Sequence, residues 1–221
     1  MENIKVTDLF NLEETIARDI FKNCVYPWEV LPKIENFIIE LGNSLDEDKF
    51  YKKGDNIWIA KNAEIAPTAY IKGPTIIDEE ANVRHCAFIR GRAIVGKRTV
   101  VGNSTELKNV ILFNNVEVPH YNYVGDSILG YKSHMGAGSV TSNIKSDRKP
   151  VQIKLKDEKI ETGIKKIGAF LGDYVEVGCG SVLNPGAIIG RNTNVYPLSS
   201  VRGFVRADSI YKNQHEIVQK M

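Results

Sequence analysis

The stretch VPHYNYVGDSILGYKSHMGAGSVTSNIK, residues 118–145, gathers the residue types needed to move a proton. An imidazole titrates near neutrality, so His120 suits a general base. Tyr123, three residues on, can donate or accept a hydrogen bond, and Gly125-Asp126 follows it directly. Upstream, Arg90 and Lys108 stand 18 residues apart. A pair of cations held on rigid strands can bind an anionic group through charge-assisted hydrogen bonds. A lone Lys or His would read as a solvated surface group, so the case rests on what groups these residues.

What must position them is a repeat. Between Ile59 and Val205 an aliphatic residue returns every six places, as in IAKNAE, IAPTAY, VGNSTE, VGCGSV and IGRNTN. Spacings of three and four would mark a helix and strict alternation a strand, and neither fits. A six-residue period suits a coil of three flat faces, with the aliphatic residue inside and the small fifth residue at the corner. The expected fold class is all-β, a parallel β-helix of hexapeptide repeats over residues 53–206, preceded by a short helical segment. Three hexapeptides complete one coil, so Arg90 and Lys108 stack one above the other on the same face. The frame slips twice, at 107–111 and 124–128, where five residues replace six, and the slips bracket His120 and Tyr123. From 145 to 166 the repeat stops, and VQIKL and KIETG flank a polar KDE tip at Lys156–Glu158, which predicts a projecting hairpin. Excursions from a regular scaffold are where function concentrates.

Residues 1–52 lie outside the repeat. Asn11 and Glu14 have the spacing of a capping box, which predicts a helix to about Lys22; a second is expected from Pro27 to Leu41, with Gly42 as its stop. This pair is expected to cap the open first coil or to pack against a neighbouring chain. Residues 207–221 read as a tail. The 29 Lys and Arg nearly balance the 27 Asp and Glu, which argues against nucleic acid as a partner. No run is long enough to span a membrane, and MENIKVTDLF lacks the blocks of a signal peptide, so a cytoplasmic protein is expected. Cys24, Cys86 and Cys179 show neither pairing nor metal-ligand spacing, and Cys86 reads as a small buried hydrophobe. His85 and His215 suggest no metal site and read as structural or solvated.

HYNYVGDS followed by HMGAGSVTSN is similar to the HLxYxGDA and NIGAGTITCN segments of glucosamine-1-phosphate N-acetyltransferases, the left-handed β-helix domains of bifunctional UDP-N-acetylglucosamine pyrophosphorylases. IRG and GNSTELKN resemble that family's LRP and GNFVEMKK, and DRKPVQIKL…KIETGIKKIGAFLGD looks closer to the archaeal-type enzymes. The resemblance implies left-handed coiling, a homotrimer with sites where adjacent subunits meet, and acetyl-CoA as acetyl donor. Nothing in residues 1–56 resembles the nucleotide loop of those proteins, so no pyrophosphorylase activity is expected.

Residue by residue, the resemblance makes His120 the base, with Tyr123 and Asn143 positioning the acceptor. Arg90, Lys108 and Lys149 match contacts to sugar and phosphate. Gly136, Ala137 and Cys179 line the expected groove for acetyl-CoA, and Arg202 is one of several cations that could hold its phosphates, Arg206, Lys165 and Lys166 being the others. The sequence departs from the bacterial pattern at His134, where Asn is usual and a substrate contact is expected, and at Ile144, where Tyr is usual. The expected activity is acetyl transfer to an amino-sugar 1-phosphate. The competing reading is a non-catalytic trimeric module that binds a sugar phosphate or a separate nucleotidylyltransferase.

Overall fold

The six-residue period becomes three faces of short strands in a computed structural model that describes residues 3–155 and 158–220. The body is a parallel β-solenoid of about eight turns. The first face runs from Ile57–Ala60 through Thr75–Ile77 and Ala93–Val95 to Phe204–Val205. The second runs from Glu64–Ile65 to Ser209–Asn213, and the third from Tyr70–Ile71 to Ser200–Val201. Pairing between turns is parallel and keeps frame positions in columns. Ile89 stacks beneath Leu107 and Leu107 beneath Val124, and all three are wholly buried. Such aliphatic columns supply the apolar burial that holds the coil.

Corners are turned by residues in the left-handed region, such as Arg92 (φ 54°), Asn109 (φ 54°) and Asp126 (φ 49°) on one edge. Cys86 sits at a corner on another edge with φ 61° and is exposed, not buried as its repeat position suggested. The two slips have a simple form. Leu107 pairs with Ile89 but Val110 pairs with Ala93, so one residue is missing between them. The chain therefore passes from third face to first as one strand, Glu106–Leu112, and again as Tyr123–Leu129 directly above.

The N-terminal segment departs most from expectation. The helix expected over 11–22 is replaced by two short 3₁₀ turns, Leu12–Glu14 and Arg18–Phe21, on either side of an extended Thr15. Asn11 does cap Glu13, but the Glu14 carbonyl is taken by the Asn114 N–H at 2.9 Å, so the prism diverts groups a helix would have used. A 3₁₀ stretch, Pro27–Lys33, then leads into α1, Ile34–Asn43. Nor does the helical part of the segment cap the end of the stack, which is left to the strand Phe50–Lys52. The helical part lies along the first face, where Trp58, Ile76, Ile94, Ile111, Ile128 and Phe170 form one column of registered positions. By the pleat these side chains point away from the interior, yet they are buried, as are Ile34 and Ile38 of α1. Phe10 and Phe21 meet Phe113 with ring centroids 5.1 and 5.8 Å apart, and Trp28 meets Phe170 at 6.2 Å.

Gly42 is not the helix stop. It lies in the last turn of α1, with the Trp58 indole where a Cβ would stand. Gly42→Ala is therefore expected to destabilise the fold by about 1–3 kcal/mol, the usual cost of overpacking, as read from the urea midpoint. A neutral result would mean that α1 is free to lift from the first face.

The excursion does form a hairpin, Gln152–Lys154 against Lys159–Glu161. It does not project freely: Val151 and Ile153 are wholly buried, close to the corner at Gly186. Lys156 and Asp157 of its expected tip lie outside the described residues. Residues 207–221 are not simply a tail, because Ser209–Asn213 extends the second face and Glu216–Gln219 pairs back on it antiparallel. At the other end Phe50–Lys52 pairs antiparallel to the first-face strand Ile57–Ala60.

Candidate active site

The shortened corner places four predicted residues in one cluster. Asp126 lies at its centre, buried and in the left-handed conformation that Asp tolerates. Its carboxylate accepts from Lys108 Nζ at 3.0 and 3.3 Å, from Asn109 Nδ2 at 2.9 Å and from Asn143 Nδ2 at 2.6 Å. Asn143 Nδ2 also donates to the Tyr123 hydroxyl at 3.0 Å. Burial raises the Tyr123 pKa and the Asp126 charge adds to this, while the Asn143 bond opposes both. The phenol therefore stays protonated and available as a donor. One turn below, Arg90 Nη1 meets Glu106 Oε1 at 2.7 Å.

A cavity of about 550 Å³ opens on this corner. Arg90, Arg92, Lys108, Asn109 and Asp126 line it from the solenoid, Ile164 and Lys166 from the base of the hairpin, and Leu31, Pro32 and Glu35 from the N-terminal segment. Lys149 is not among its lining residues; it is exposed, with its N–H donated to Asp147 Oδ1 at 3.1 Å. Lys166 occupies the cavity instead, bridged through its backbone to Ile144, beside Asn143.

His120 ends the second-face strand Glu117–His120 and opens on a groove of about 370 Å³ shared with Arg84, His134, Gly136, Ala137 and Cys179. Its main chain is fixed on both sides: the N–H donates to Asn122 Oδ1 at 3.1 Å and the carbonyl accepts from the Gly138 N–H at 3.0 Å. Asn122 is buried and in turn donates from Nδ2 to the Gly136 carbonyl at 2.9 Å and the Ser139 carbonyl at 3.1 Å. The His120 ring is exposed, while the His134 Nδ1 lies 2.9 Å from Glu176 Oε2. Arg202 is not in this groove. It follows Val201 on the third face, at the same edge as Arg90 and Lys108, and Arg84 is the groove's cation.

The predicted residues thus fall into two sets on one chain. His120 stands just before the third face and the Arg90–Lys108 corner just after it, with Tyr123–Gly125 running between. Among the described residues no group of three or more His, Cys, Asp or Glu side chains is placed to hold a metal, and no helix is long and apolar enough to cross a membrane.

Residues 71–189 match the family model described as the GMPPB C-terminal domain. That stretch is over half of the 221 residues and carries both sets of site residues. The chain belongs to the GMPPB C-terminal domain family.

The chain is also similar to individual proteins. The bifunctional protein GlmU of Methanococcus aeolicus is 33% identical over 183 residues, covering 75% of this chain and 44% of that protein. The bifunctional sugar-1-phosphate nucleotidylyltransferase/acetyltransferase of Sulfurisphaera tokodaii is 30% identical over 190 residues, covering 84% and 47%. The chain spans about half the length of these two curated relatives. Among solved structures, a hexapeptide transferase family protein from Anaplasma phagocytophilum aligns with TM-score 0.42 and 14% identity, over 74% of this chain and 78% of that one.

In this member of the GMPPB C-terminal domain family, sequence reasoning passed over several site residues. Asp126 stood in the Gly125-Asp126 motif without a role, and only the coil shows that it gathers Lys108, Asn109 and Asn143. Asn122 lies between two flagged residues, and a polar residue so placed in a tight corner was a readable signal. Arg84 sits two turns below Pro119, the neighbour of His120, and Arg92 two residues past Arg90. Glu35 had no signal at all, because it comes from outside the repeat.

Proposed function

We propose that this chain transfers an acetyl group from acetyl-CoA to the amine of an amino-sugar 1-phosphate, glucosamine or galactosamine 1-phosphate. The observation that carries this reading is the corner cluster: stacked Arg90 and Lys108, each already held by a carboxylate, beside a protonated Tyr123 and an oriented Asn143. Such a site suits a small anion with hydroxyls, because preset donors lose little freedom on binding. The acetyltransferase named among the relatives supports the group transferred.

The donor would lie in the His120 groove. Gly136 packs so closely on Cys179 that a Cβ would collide with its backbone, which leaves a narrow floor of small residues suited to a thin pantetheine arm. His134, Gly136, Ala137, Cys179 and Arg84 would hold acetyl-CoA, which supplies the thioester when bound. A ring nitrogen of His120 takes a proton from the acceptor amine, and the Asn122 and Gly138 bonds hold its backbone while it does so. Tyr123 and Asn143 orient the sugar, and Arg90, Lys108 and Lys166 hold the phosphate. Because His120 and the cation corner lie at opposite edges of the third face, the complete site would form in a homotrimer, with the base of one copy beside the corner of the next. Light scattering tests this, and a monomer mass would remove the arrangement.

The assay is release of free CoA from acetyl-CoA across a panel of amino-sugar phosphates. Release with a hexosamine 1-phosphate and none with the free sugar is the expected result; no release with any member of the panel would overturn the reading. Lys166 and Lys149 make a sharp comparison within it. Lys166→Ala is expected to raise KM for the sugar phosphate about tenfold to a hundredfold with little change in kcat, the loss of one charge-assisted bond. Lys149→Ala should change neither.

A further inference from the structure

We propose that Glu35 and Arg92 form the sugar-ring end of the acceptor cavity and choose between hexosamines by their hydroxyl pattern. This rests on the acetyl-transfer reading of the same cavity. The matched family region begins at residue 71, so Glu35 comes from a part of the chain outside it, yet lines the cavity that Arg90 and Lys108 share. Glu35 Oε2 meets Arg92 Nε at 2.9 Å.

Three observations give this pair a role other than holding the segment down. Both side chains are about half exposed, at 45% and 52%, and an ion pair so solvated contributes little to stability. The segment is held elsewhere, by buried Ile34 and Ile38, by the Phe10–Phe21–Phe113 cluster, and by Asp173, whose carboxylate accepts from the Asn11 N–H at 2.8 Å and whose N–H donates to the Leu9 carbonyl at 3.0 Å. The cavity is also polarised. Lys166 has no carboxylate within ion-pair distance among the described residues, whereas Arg90, Lys108 and Arg92 are matched by Glu106, Asp126 and Glu35. An anionic group is drawn to Lys166, the unmatched cation, and away from the Glu35 carboxylate. The sugar ring, which bears no negative charge, then faces Glu35 and Arg92. There a carboxylate acceptor and a planar guanidinium donor are fixed side by side, a geometry that matches neighbouring hydroxyls.

The test uses the full chain and two epimeric probes, glucosamine 1-phosphate and galactosamine 1-phosphate. Binding is measured by calorimetry without acetyl-CoA, and kcat and KM are measured with it. In Glu35→Gln the ratio of kcat/KM between the epimers should move by at least about tenfold, through KM and the calorimetric affinity, with kcat nearly constant. The melting temperature should stay at the wild-type value. The charge-swapped Glu35→Arg/Arg92→Glu protein rebuilds the ion pair but exchanges donor and acceptor, so it should not restore the ratio. An unchanged ratio in Glu35→Gln, or its recovery in the swapped protein, would overturn the proposal while leaving acetyl transfer intact. Wild-type protein that binds neither probe would overturn both.

Discussion

His120→Ala is expected to lower kcat for acetyl transfer by about 10²- to 10⁴-fold, the range for loss of a positioned general base. KM for the sugar phosphate should change little, because the groups proposed to bind phosphate lie at the other edge of the third face. The structural cost of the change is small. The His120 ring is exposed and makes no hydrogen bond among the described residues, and the bonds that fix this position come from its main chain. A loss of rate is therefore a loss of chemistry and not of folding. The readout is CoA release at saturating substrate, with a melting curve as the control. If the alanine protein keeps wild-type kcat, the base is elsewhere. His134 then becomes the residue to test, since it shares the groove but already faces Glu176.

Lys108→Ala is expected to damage both stability and activity, and a second substitution should separate the two. Lys108 supplies the counter-charge of Asp126, whose side chain is 5% exposed. Removing it leaves a buried carboxylate held only by the amides of Asn109 and Asn143. Urea denaturation should show a loss of about 1–3 kcal/mol, the usual cost of an uncompensated buried polar group. That carboxylate also faces the cavity, where it repels the phosphate that Lys108 would have held. kcat/KM should fall by about 10³-fold, more than the loss of one bond alone. Adding Asp126→Asn removes the stranded charge, and asparagine tolerates the φ of 49° at that corner. The double variant should recover most of the stability and little of the activity. Recovery of both would mean that Lys108 has only a structural role.

The repeat made the solenoid legible, and its failures located the site. Six-residue spacing fixes which residues point inward, and 18-residue spacing fixes which stack, so Arg90 beneath Lys108 followed from counting. The shortened turns were visible as five-residue frames, but not their result, a strand that passes straight through the corner and brings Asp126 beside Asn109. Residues outside the period gave no such ruler. The register of Lys149 and Lys166 depends on a 22-residue excursion, from 145 to 166, whose path is set by burial of Val151 and Ile153. Helical spacing in residues 11–22 was overridden because the prism offers its own partners for Asn11 and Glu14. One signal was present and unread. Paired aliphatics such as Ile76-Ile77, Ile94-Val95, Ile111-Leu112 and Ile188-Ile189 recur once per turn, and the first of each pair marks a face that something must cover.

The two antiparallel strands at the ends of the stack also set its length. A parallel solenoid grows by adding turns of the same direction, and a bare terminal turn offers another copy the same template. Phe50–Lys52 and Glu216–Gln219 run against that direction at opposite ends, one on the first face and one on the second. An incoming turn meets a strand of the wrong polarity at each end, so the molecule resists end-to-end fibre growth. That leaves the sides of the prism, where the Arg90–Lys108 cavity and the His120 groove open, as the surfaces for the proposed trimer.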